Sequence, residues 1–482
     1  MSLPFSELRI QPLSSSPSFP ARVRLGVAVR LSAALLLTTA LSASHASEPD
    51  YLTRKGPLVE SPEDLDSAID YLGRPDKRAP IEADATPPPG AAPPAPKGLV
   101  SELVDGAQFG GQLRTYYLER LRDGANDSQA WAAGGSLGFK SGLWRDRLGF
   151  GVRLYTSQPV YAPRDKPGSG LLAPVQDGYT VLGESYLLLR PFGTSYLQLW
   201  RQGMELPYLN KHDTRMTPNT FEAYLLLDRD AKRFNYVLGY VDKIRKRTET
   251  TWQSLATAAG ADAKRGAGVL GARWRIGERT NIGAIDIFGI DTFNTFYTEA
   301  TAALTPTDDD AELEMRLSVQ YTDQRSVGEA LIGRFQTYQL GGKFDIGAYG
   351  ATLTLAYTDT GSGADIQNPW GGVPSYNSVI VDDFDSAGER AWRVGAAYDF
   401  ARIGLTGVSG FVNYTAGNTP DSGANARADT DELDLTLDWR PKSGGLDGLW
   451  LRGRMAVVNA VGPGAVDQLD FRVILNYDFN LL

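Results

Sequence analysis

The sequence predicts an all-β fold, a transmembrane antiparallel β-barrel of about 18 strands, and three observations support it. The C-terminal stretch from Leu469 to Phe479 alternates apolar and polar residues with the period of a strand. Many earlier segments have the same length and pattern, and the total is even, as in bacterial barrels. A strand at the very end of the chain can pair with the first strand, which closes the sheet as hydrocarbon surroundings require.

Composition narrows the class further. The chain has 482 residues, a net charge of −9, no cysteine and two histidines. Its apolar residues alternate instead of forming runs of about 20, so spanning helices are excluded after the first 50 residues or so. Because His212 is the only histidine after residue 46, His/Cys metal sites and histidine-dependent triads are disfavoured, and we expect no metal and no cofactor.

Residues 1–46 have the order of parts that a signal peptide has. Three arginines, the last of them Arg30, precede the apolar run from Leu31 to Leu41, and small residues follow up to Ala46. We expect export and cleavage after Ala46.

Residues 47–106 differ in composition from the rest, and we interpret them as a periplasmic Pro-rich extension. A capping pattern at Ser61 and apolar residues at helical spacing predict one short helix at about 62–72. The stretch from Thr86 to Pro96, TPPPGAAPPAP, predicts an extended spacer. A solvated tether and a partner-binding or lumen-plugging segment are the two interpretations.

The barrel is predicted to occupy residues 107–482, with the first strand at 107–119 and the third at 143–155, after a two-residue turn at Ser141-Gly142. Connections after even-numbered strands are short, whereas several after odd-numbered strands are long, namely 156–181, 204–217, 244–265 and 359–387. Short turns on the periplasmic side and long loops outside are the asymmetry of outer-membrane barrels.

Alternation also assigns basic residues to the lumen. Arg472 lies on the face opposite Phe471 and Leu475, and an Arg facing lipid near the midplane would cost about 2–4 kcal/mol. The same test predicts a basic ladder along the lumen wall, made of Arg114, Arg153, Arg273, Arg275, Arg316, Lys343, Arg393, Arg452, Arg454 and Arg472.

Such a ladder has two interpretations. Successive cations in a narrow passage would offer a permeating anion a series of weak sites, and the arginine fork matches a carboxylate. Alternatively, the arginines pair with lumen acids and stiffen the wall, the available acids being Glu314, Asp434, Asp438 and Asp470.

Three sets of motifs carry a resemblance to a known family. The first is Gly110 to Tyr117, GGQLRTYY. The second is Glu205-Leu206-Pro207 followed by DTRMTPNTFE from Asp213 to Glu222. The third set comprises NPWGG at Asn368, Asp383-Phe384, AGERAW at Ala387 and Tyr398-Asp399-Phe400. Over roughly 107–482 the chain resembles the OprD family of outer-membrane porins.

The resemblance implies eighteen strands, a basic ladder, uptake of small carboxylate-bearing substrates, and third and seventh outer loops that fold inward as a constriction. The chain departs from the family at Asn413, where members often have a basic residue, and in its extension. The candidate constriction residues are Glu205, Asp213 and Arg215 in the third loop and Trp370, Tyr376, Asp382, Asp383 and Asp385 in the seventh.

The loop carboxylates also have two interpretations. Facing the ladder, they would create a transverse field that orients zwitterions. At the outer rim, they would bind divalent cations and lipopolysaccharide, or cap turns.

The function predicted is that of a porin for passive, selective uptake of small hydrophilic molecules, with amino acids or small organic and aromatic acids as the expected substrates. The alternatives are an unselective porin and a barrel enzyme of the phospholipase or protease type, although His212 is a poor candidate base within a loop turned into the pore. Expected partners are outer-membrane lipid, lipopolysaccharide and carboxylate solutes. The basic run ending at Arg247 enters an outer loop, so no nucleic acid is expected, and a homo-oligomer is left open.

Overall fold

The computed structural model describes residues 98–228, 233–277, 279–305, 313–441, 446 and 448–481. The predicted signal peptide and the predicted helix at about 62–72 lie outside these residues. Of the predicted extension, residues 98–106 are described. They contain helix α1 (Leu99–Val104), which the sequence analysis did not predict, just before the first strand.

The described residues form eighteen long antiparallel strands in one closed sheet, as predicted. Each strand pairs with its neighbours along the chain, and the last pairs with the first. The strands are β1 (Gln108–Arg122), β2 (Ser128–Lys140), β3 (Leu148–Tyr161), β4 (Tyr179–Phe192), β5 (Ser195–Gln202), β6 (Thr220–Asp228), β7 (Phe234–Arg245), β8 (Ala267–Ile276), β9 (Thr280–Gly289), β10 (Phe293–Ala303), β11 (Glu314–Ser326), β12 (Gln336–Ala348), β13 (Ala351–Thr360), β14 (Arg390–Asp399), β15 (Val408–Asn418), β16 (Asp429–Trp439), β17 (Leu449–Val461) and β18 (Gln468–Asn480).

Shorter elements lie in the connections. They are a small hairpin of Glu205–Leu206 and Leu209–Asn210, a two-residue strand Gln253–Ser254 followed by helix α2 (Leu255–Ala258), and 3-10 turns at Pro174–Gln176 and Phe400–Ile403. Within the described residues, no helix is both long and apolar enough to cross a membrane.

The C-terminal strand closes the sheet. β18 runs antiparallel to β1 over thirteen paired positions, from Gly110 opposite Asn480 to Arg122 opposite Gln468. Leu113 faces Tyr477 across this seam, and Leu113 is among the exposed apolar residues. Both ends of the described chain therefore meet at one end of the barrel, and the long loops leave from the other.

Burial is inverted relative to a soluble protein. On β16, Leu433, Leu435 and Leu437 are exposed, whereas Glu432 and Asp434 are almost fully buried. Exposed leucines beside buried carboxylates are unfavourable in water, but they suit a strand with lipid outside and a polar lumen inside. The face assignments made from alternation are confirmed here.

Most strand ends differ from the prediction by a few residues, and β3 differs most. We expected it at 143–155 after a two-residue turn, but it spans Leu148–Tyr161. Residues 143–147 form a tight turn instead, in which Trp144 N donates to Leu148 O at 2.8 Å and Arg145 and Asp146 have positive φ. This turn contains no glycine or proline, the residues from which a turn is most readily predicted in a sequence.

Four outer loops fill the barrel from within. We name them L2 (162–178), L3 (203–219), L4 (246–266) and L7 (361–389). The inner faces of β6 to β10 are apolar, and L3, L4 and L7 pack against them through Leu209, Leu255 and Trp370. The inward course of L3 and L7 agrees with the resemblance.

L2 and L4 also fold inward, which was not predicted. In L2, Leu171 and Leu172 are buried against Tyr116 of β1 and Ala132 of β2, and Met216 of L3 covers them. The lumen wall is therefore not polar throughout. Its apolar parts are the surfaces on which the inward loops pack.

The inverted burial can be tested with one residue type on two faces. Leu435→Arg should destabilise the barrel folded in a bilayer by about 2–4 kcal/mol, because the arginine charge would face lipid. Asn413→Arg is the matched control, since Asn413 lies on the lumen face opposite Asp434 and should change stability by about 1 kcal/mol or less. Denaturant titration of refolding into vesicles measures both. Equal losses in the two variants would contradict the face assignment.

Candidate functional site

The apolar inner faces of β6 to β10 form one side of the lumen, here called the apolar wall. A charged wall faces it across the lumen. It comprises the inner faces of β16, β17, β18 and β1, and the predicted ladder residues on it are Arg114, Arg452, Arg454 and Arg472, each almost fully buried by the wall and the loops. Arg454 and Arg472 lie directly opposite one another in the strand ladder. The alternation of β17 and β18 therefore brings several predicted ladder residues together.

Two of these arginines are paired with wall carboxylates. Arg452 forms a two-pronged pair with Asp438, from Nε at 2.8 Å and from Nη2 at 2.8 Å, and it also lies against the ring of Trp450. Arg472 Nε pairs with Asp470 Oδ1 at 2.5 Å. For both residues, the alternative interpretation of wall-stiffening pairs describes the contacts.

Of the remaining predicted ladder residues, Arg454 lies on the charged wall and the others are spread around the barrel. Arg153 pairs with Glu184 at 3.7 Å, Arg273 donates to Asn235 at 2.9 Å, and Arg454 donates to Thr436 at 3.2 Å. The remaining four are Lys343, which lies beneath the ring of Tyr376 and 3.5 Å from Asp345; Arg316 and Arg393, both partly buried on the inner face; and Arg275, exposed near the periplasmic end of β8.

Arg120 belongs to the same wall and was missed. It follows Arg114 on the inner face of β1, and its Nε pairs with Asp470 at 2.8 Å. The alternation that placed Arg114 inside would have placed Arg120 inside as well, but the predicted strand ended at residue 119. Asp470 therefore holds two arginines, Arg120 and Arg472.

The charged wall also holds L3. Arg114 Nη1 pairs with Asp213 Oδ1 at 2.7 Å and donates to the carbonyl oxygen of Arg215 as well. From the other side, Arg247 of L4 donates to Thr214 and to the carbonyl of His212. Glu205 opens the small hairpin of L3. The predicted constriction residue Asp213 is thus an anchor for the loop, and Arg247, which the sequence showed only as the end of a basic run, holds the loop from the other side.

Arg215 differs from the wall arginines. Among the described residues it forms no ion pair, its Nε is buried without a hydrogen-bond partner, and its Nη1 donates only to the neighbouring Thr214 carbonyl. Burial, together with repulsion from Arg472, lowers the pKa of Arg215 to about 9. The guanidinium is therefore still charged at neutral pH, and among the described residues no carboxylate lies within ion-pair distance of it, Asp470 acting only from farther away.

L7 crosses the lumen and is fixed at both walls. At one end, Tyr376 donates to Glu299 of β10 at 2.9 Å, and burial beside this carboxylate raises the pKa of the Tyr376 hydroxyl. At the other end, the backbone N–H groups of Val381 and Asp382 donate to the two carboxylate oxygens of Glu432 on β16. Arg472 adds a third anchor by donating to Ile380 O at 2.8 Å.

Trp370 and Tyr376, two of the predicted constriction residues, have buried side chains that hold L7 to the barrel. Trp370 is 1% exposed, stacks on Phe293 with 4.9 Å between ring centroids, and donates to Leu255 O of α2 at 2.8 Å. The two aromatic rings pack L7 against the apolar wall, and burial of a large ring stabilises the loop.

L3 and L7 are linked by the side chain of Asn210. Its Nδ2 donates to Gly372 O at 3.0 Å, and its Oδ1 accepts from Gly372 N at 2.8 Å. A Cβ at Gly371 would lie 2.8 Å from the Asn210 side chain, so glycine is required there. The Trp-Gly-Gly motif of L7 thus forms a loop-to-loop contact.

The acids of L7 lie close to one another. Asp383 accepts from Ser378 Oγ at 2.6 Å and from Asn368 at 3.3 Å, and Asp382 accepts from Phe384 N at 2.9 Å. Burial and the nearby Asp383 raise the pKa of Asp385 well above its usual range. Burial likewise raises the pKa of Glu389, to about 7. L7 therefore changes charge near neutral pH.

Among the described residues, no group of three or more histidine, cysteine, aspartate or glutamate side chains is placed to hold a metal ion. His212 lies in L3 at a positive φ of 43°, and its backbone contacts Asn210 and Arg247.

A closed eighteen-strand barrel with an apolar exterior, a charged lumen and inward-folded loops is the architecture of an outer-membrane porin. The sequence identifies the particular group, since residues 101–481 match the outer membrane porin, OprD family, and the chain belongs to this family. It is accordingly an outer-membrane protein of a Gram-negative bacterium. A search of curated proteins found no match.

Solved structures give the same picture. The chain is 27% identical to Pseudomonas aeruginosa OccK9 (OpdG), with a TM-score of 0.72 over 79% of this chain and 100% of that one. It is 23% identical to P. aeruginosa OpdK with vanillate, with a TM-score of 0.70 over 78% and 100%. It is 19% identical to a BenF-like porin from Pseudomonas fluorescens Pf-5, with a TM-score of 0.71 over 79% and 100%.

The L3–L7 link predicts an effect on channel noise. In Asn210→Ala both backbone groups of Gly372 would lose their partner, at a cost of about 1–3 kcal/mol for buried polar groups. The loops should fluctuate more, and single-channel recordings should show added open-state noise or substates. Asn459→Ala, which removes a bond to Asp431 away from L3 and L7, is the control and should remain quiet. Identical traces would show that Asn210 does not restrain the loops.

Proposed function

We propose that this porin mediates passive, selective uptake of small hydrophilic molecules that carry a carboxylate. The observation that carries the proposal is Arg215. Its guanidinium lies in the inward loop L3 without an acidic partner among the described residues, next to Arg472 and Arg247. A permeating carboxylate would supply the missing counter-charge, and the planar fork can hold it by two hydrogen bonds.

The wall arginines support this in a different way. Arg114, Arg452 and Arg472 are each paired with an acid, so each presents less net charge to the lumen. They would give an anion weak sites on either side of a stronger one at Arg215. Such a sequence lets a solute enter and also leave, as conduction requires.

The acids of L7 suggest a further refinement. Arg472 contacts Ile380, two residues before Asp382, so the acids of L7 lie near the charged wall. A solute bearing both a carboxylate and a hydrogen-bond donor would be oriented between the two. We therefore include amino acids and small hydroxy or aromatic acids in the proposed substrate class.

We propose transport rather than catalysis for this chain. A barrel hydrolase acting on lipid needs a nucleophile and base at the lipid-facing rim. His212 lies in L3 inside the barrel, where a lipid substrate does not reach. An unselective porin is the remaining alternative, and the next two predictions distinguish it from the proposal.

Arg215→Gln should reduce anion selectivity without disturbing assembly, because the residue holds no ion pair that would be broken. In a salt gradient across a planar bilayer, the reversal potential should move toward cations, and more so at low ionic strength, where screening is weaker. Block by an aromatic carboxylate should weaken about tenfold, as for loss of one charge-assisted bond. Neutral sugars should behave as before.

Arg164→Gln is the matched control, since Arg164 lies in L2 with a highly exposed side chain. It should leave selectivity and block unchanged. If Arg215→Gln conducts with the same reversal potential at every salt concentration, Arg215 is not a binding site and the carboxylate proposal fails with it.

Selectivity should also depend on pH. Since the pKa of Glu389 is raised to about 7, its carboxylate takes up a proton as pH falls from about 8 to about 6. L7 then loses negative charge while the arginines stay charged, so anion selectivity should rise over this range. Reversal potentials measured at several pH values test this. Glu389→Gln should flatten part of the change, and a wild-type channel insensitive to pH would contradict it.

A further inference from the structure

An outward-facing groove interrupts the lipid-facing surface on β9, β10 and β11. The strand register places three rows of outward side chains there. The row nearest the outer loops is Phe288, Asn294 and Arg325; the next is Asp286, Phe296 and Asp323; the third is Ala284, Thr298 and Tyr321. The neighbouring outward residues on β8, such as Leu270, are apolar. The polar cluster therefore ends at β8 on one side.

The cluster lines an open groove on the outer surface. The groove has a volume of about 370 Å³ and is lined by Phe288, Phe296 and Tyr321 together with Asn294, Asp323 and Arg325. This volume is within the range of small-molecule sites, which are mainly apolar with a few placed polar groups. The groove fits the same description.

One group in the groove lacks a hydrogen-bond partner among the described residues, and a second, Arg325, reaches only one oxygen of its partner Asp323. Asn294 donates from Nδ2 to Asp286 at 2.8 Å, but its Oδ1 is buried and has no hydrogen-bond partner among the described residues. Arg325 contacts Asp323 through Nε and Nη2, and both reach the same oxygen, Oδ1. An acceptor that is buried and unsatisfied costs free energy, so a ligand donor at this point would be stabilising.

Position identifies the kind of ligand. The groove lies at the ends of β9 to β11 that connect to outer loops, and it faces away from the lumen. At this level, the outer leaflet of the membrane surrounds the barrel. Tyr321 stacks with Tyr338, as aromatic residues do at a membrane interface. A ligand here must have an apolar part for the phenylalanines, a hydrogen-bond donor for Asn294 and an anionic group for Arg325.

We propose that this groove binds the headgroup of the phosphorylated, acylated glycolipid of the outer leaflet, namely lipopolysaccharide. A sugar hydroxyl or amide N–H donates to Asn294 Oδ1, a sugar phosphate meets Arg325, and acyl chains lie over Phe296 and Phe288. Asp323 and Asp286 accept further hydroxyl groups. The site is separate from the transport path, so it stands independently of the proposed carboxylate substrate.

The test uses the full chain purified from outer membranes in mild detergent, with native mass spectrometry to count bound glycolipid. Asn294→Ala and Arg325→Gln should each retain glycolipid at least tenfold less than the unaltered protein. Arg390→Gln is the matched control, because Arg390 forms a comparable exposed pair with Asp359 on β13 and β14. It should retain glycolipid normally.

Single-channel conductance shows whether each variant is folded, and it should be unchanged in all three because the lumen is untouched. Equal glycolipid retention in the groove variants and the control overturns the proposal. So does equal competition by phosphatidylethanolamine or phosphatidylglycerol, which lack the sugar. If the groove variants instead change the oligomeric state and leave the glycolipid count unaltered, the occupant is a second copy of the chain and the proposal is wrong.

Discussion

Closure of the sheet between β1 and β18 is the constraint on which the rest of the structure depends. A sheet with an open edge would leave backbone N–H and C=O groups unpaired in hydrocarbon, so the two terminal strands must pair over their full length. Closure leaves lipid on one side of every strand, which forces apolar residues outward and charged residues inward. Eighteen strands also enclose more space than their own side chains can fill, and the loops therefore enter the lumen.

The inward loops must be held in place, and the two walls of the lumen hold them by different interactions. The apolar wall holds L3, L4 and L7 by packing, with Trp370 stacked on Phe293 at its centre. The charged wall holds them by directed bonds, such as those from Arg114 to Asp213 and from the L7 backbone to Glu432. Buried pairs of this kind contribute little net stability, but breaking one leaves a buried charge, so they define position more than they add energy.

Much of this fold was predictable because its rules are local. The alternation of Leu433, Asp434 and Leu435 is visible within a few residues, and the cost of a charge in lipid converts it into a face assignment. Strand number followed from the same periodicity. The turn at 143–147 was missed because it has no glycine or proline, and the missed Arg120 lay one residue beyond a predicted strand end.

The site was less predictable because its contacts cross the lumen. Tyr376 meets Glu299 over a separation of 77 residues, and Asn210 meets Gly372 over 162. No periodicity relates such pairs. The motif residues of L3 and L7 could be named from the sequence, but their contacts could not, since an aromatic residue in a loop looks the same whether it lines a passage or packs the loop against the wall. Likewise, the sequence could not tell paired Arg452 from unpaired Arg215.

The division between a packing wall and a charged wall has an evolutionary consequence. Because the loops rest mainly on β6 to β10, side chains on β16 to β18 and β1 can be exchanged without unseating most of the hydrophobic contacts. A lineage can thus acquire preference for a new solute through a few changes on one side of the pore while inheriting the other side intact. Relatives should diverge in the identity of their lumen charges faster than in the aromatic and aliphatic residues beneath the loops.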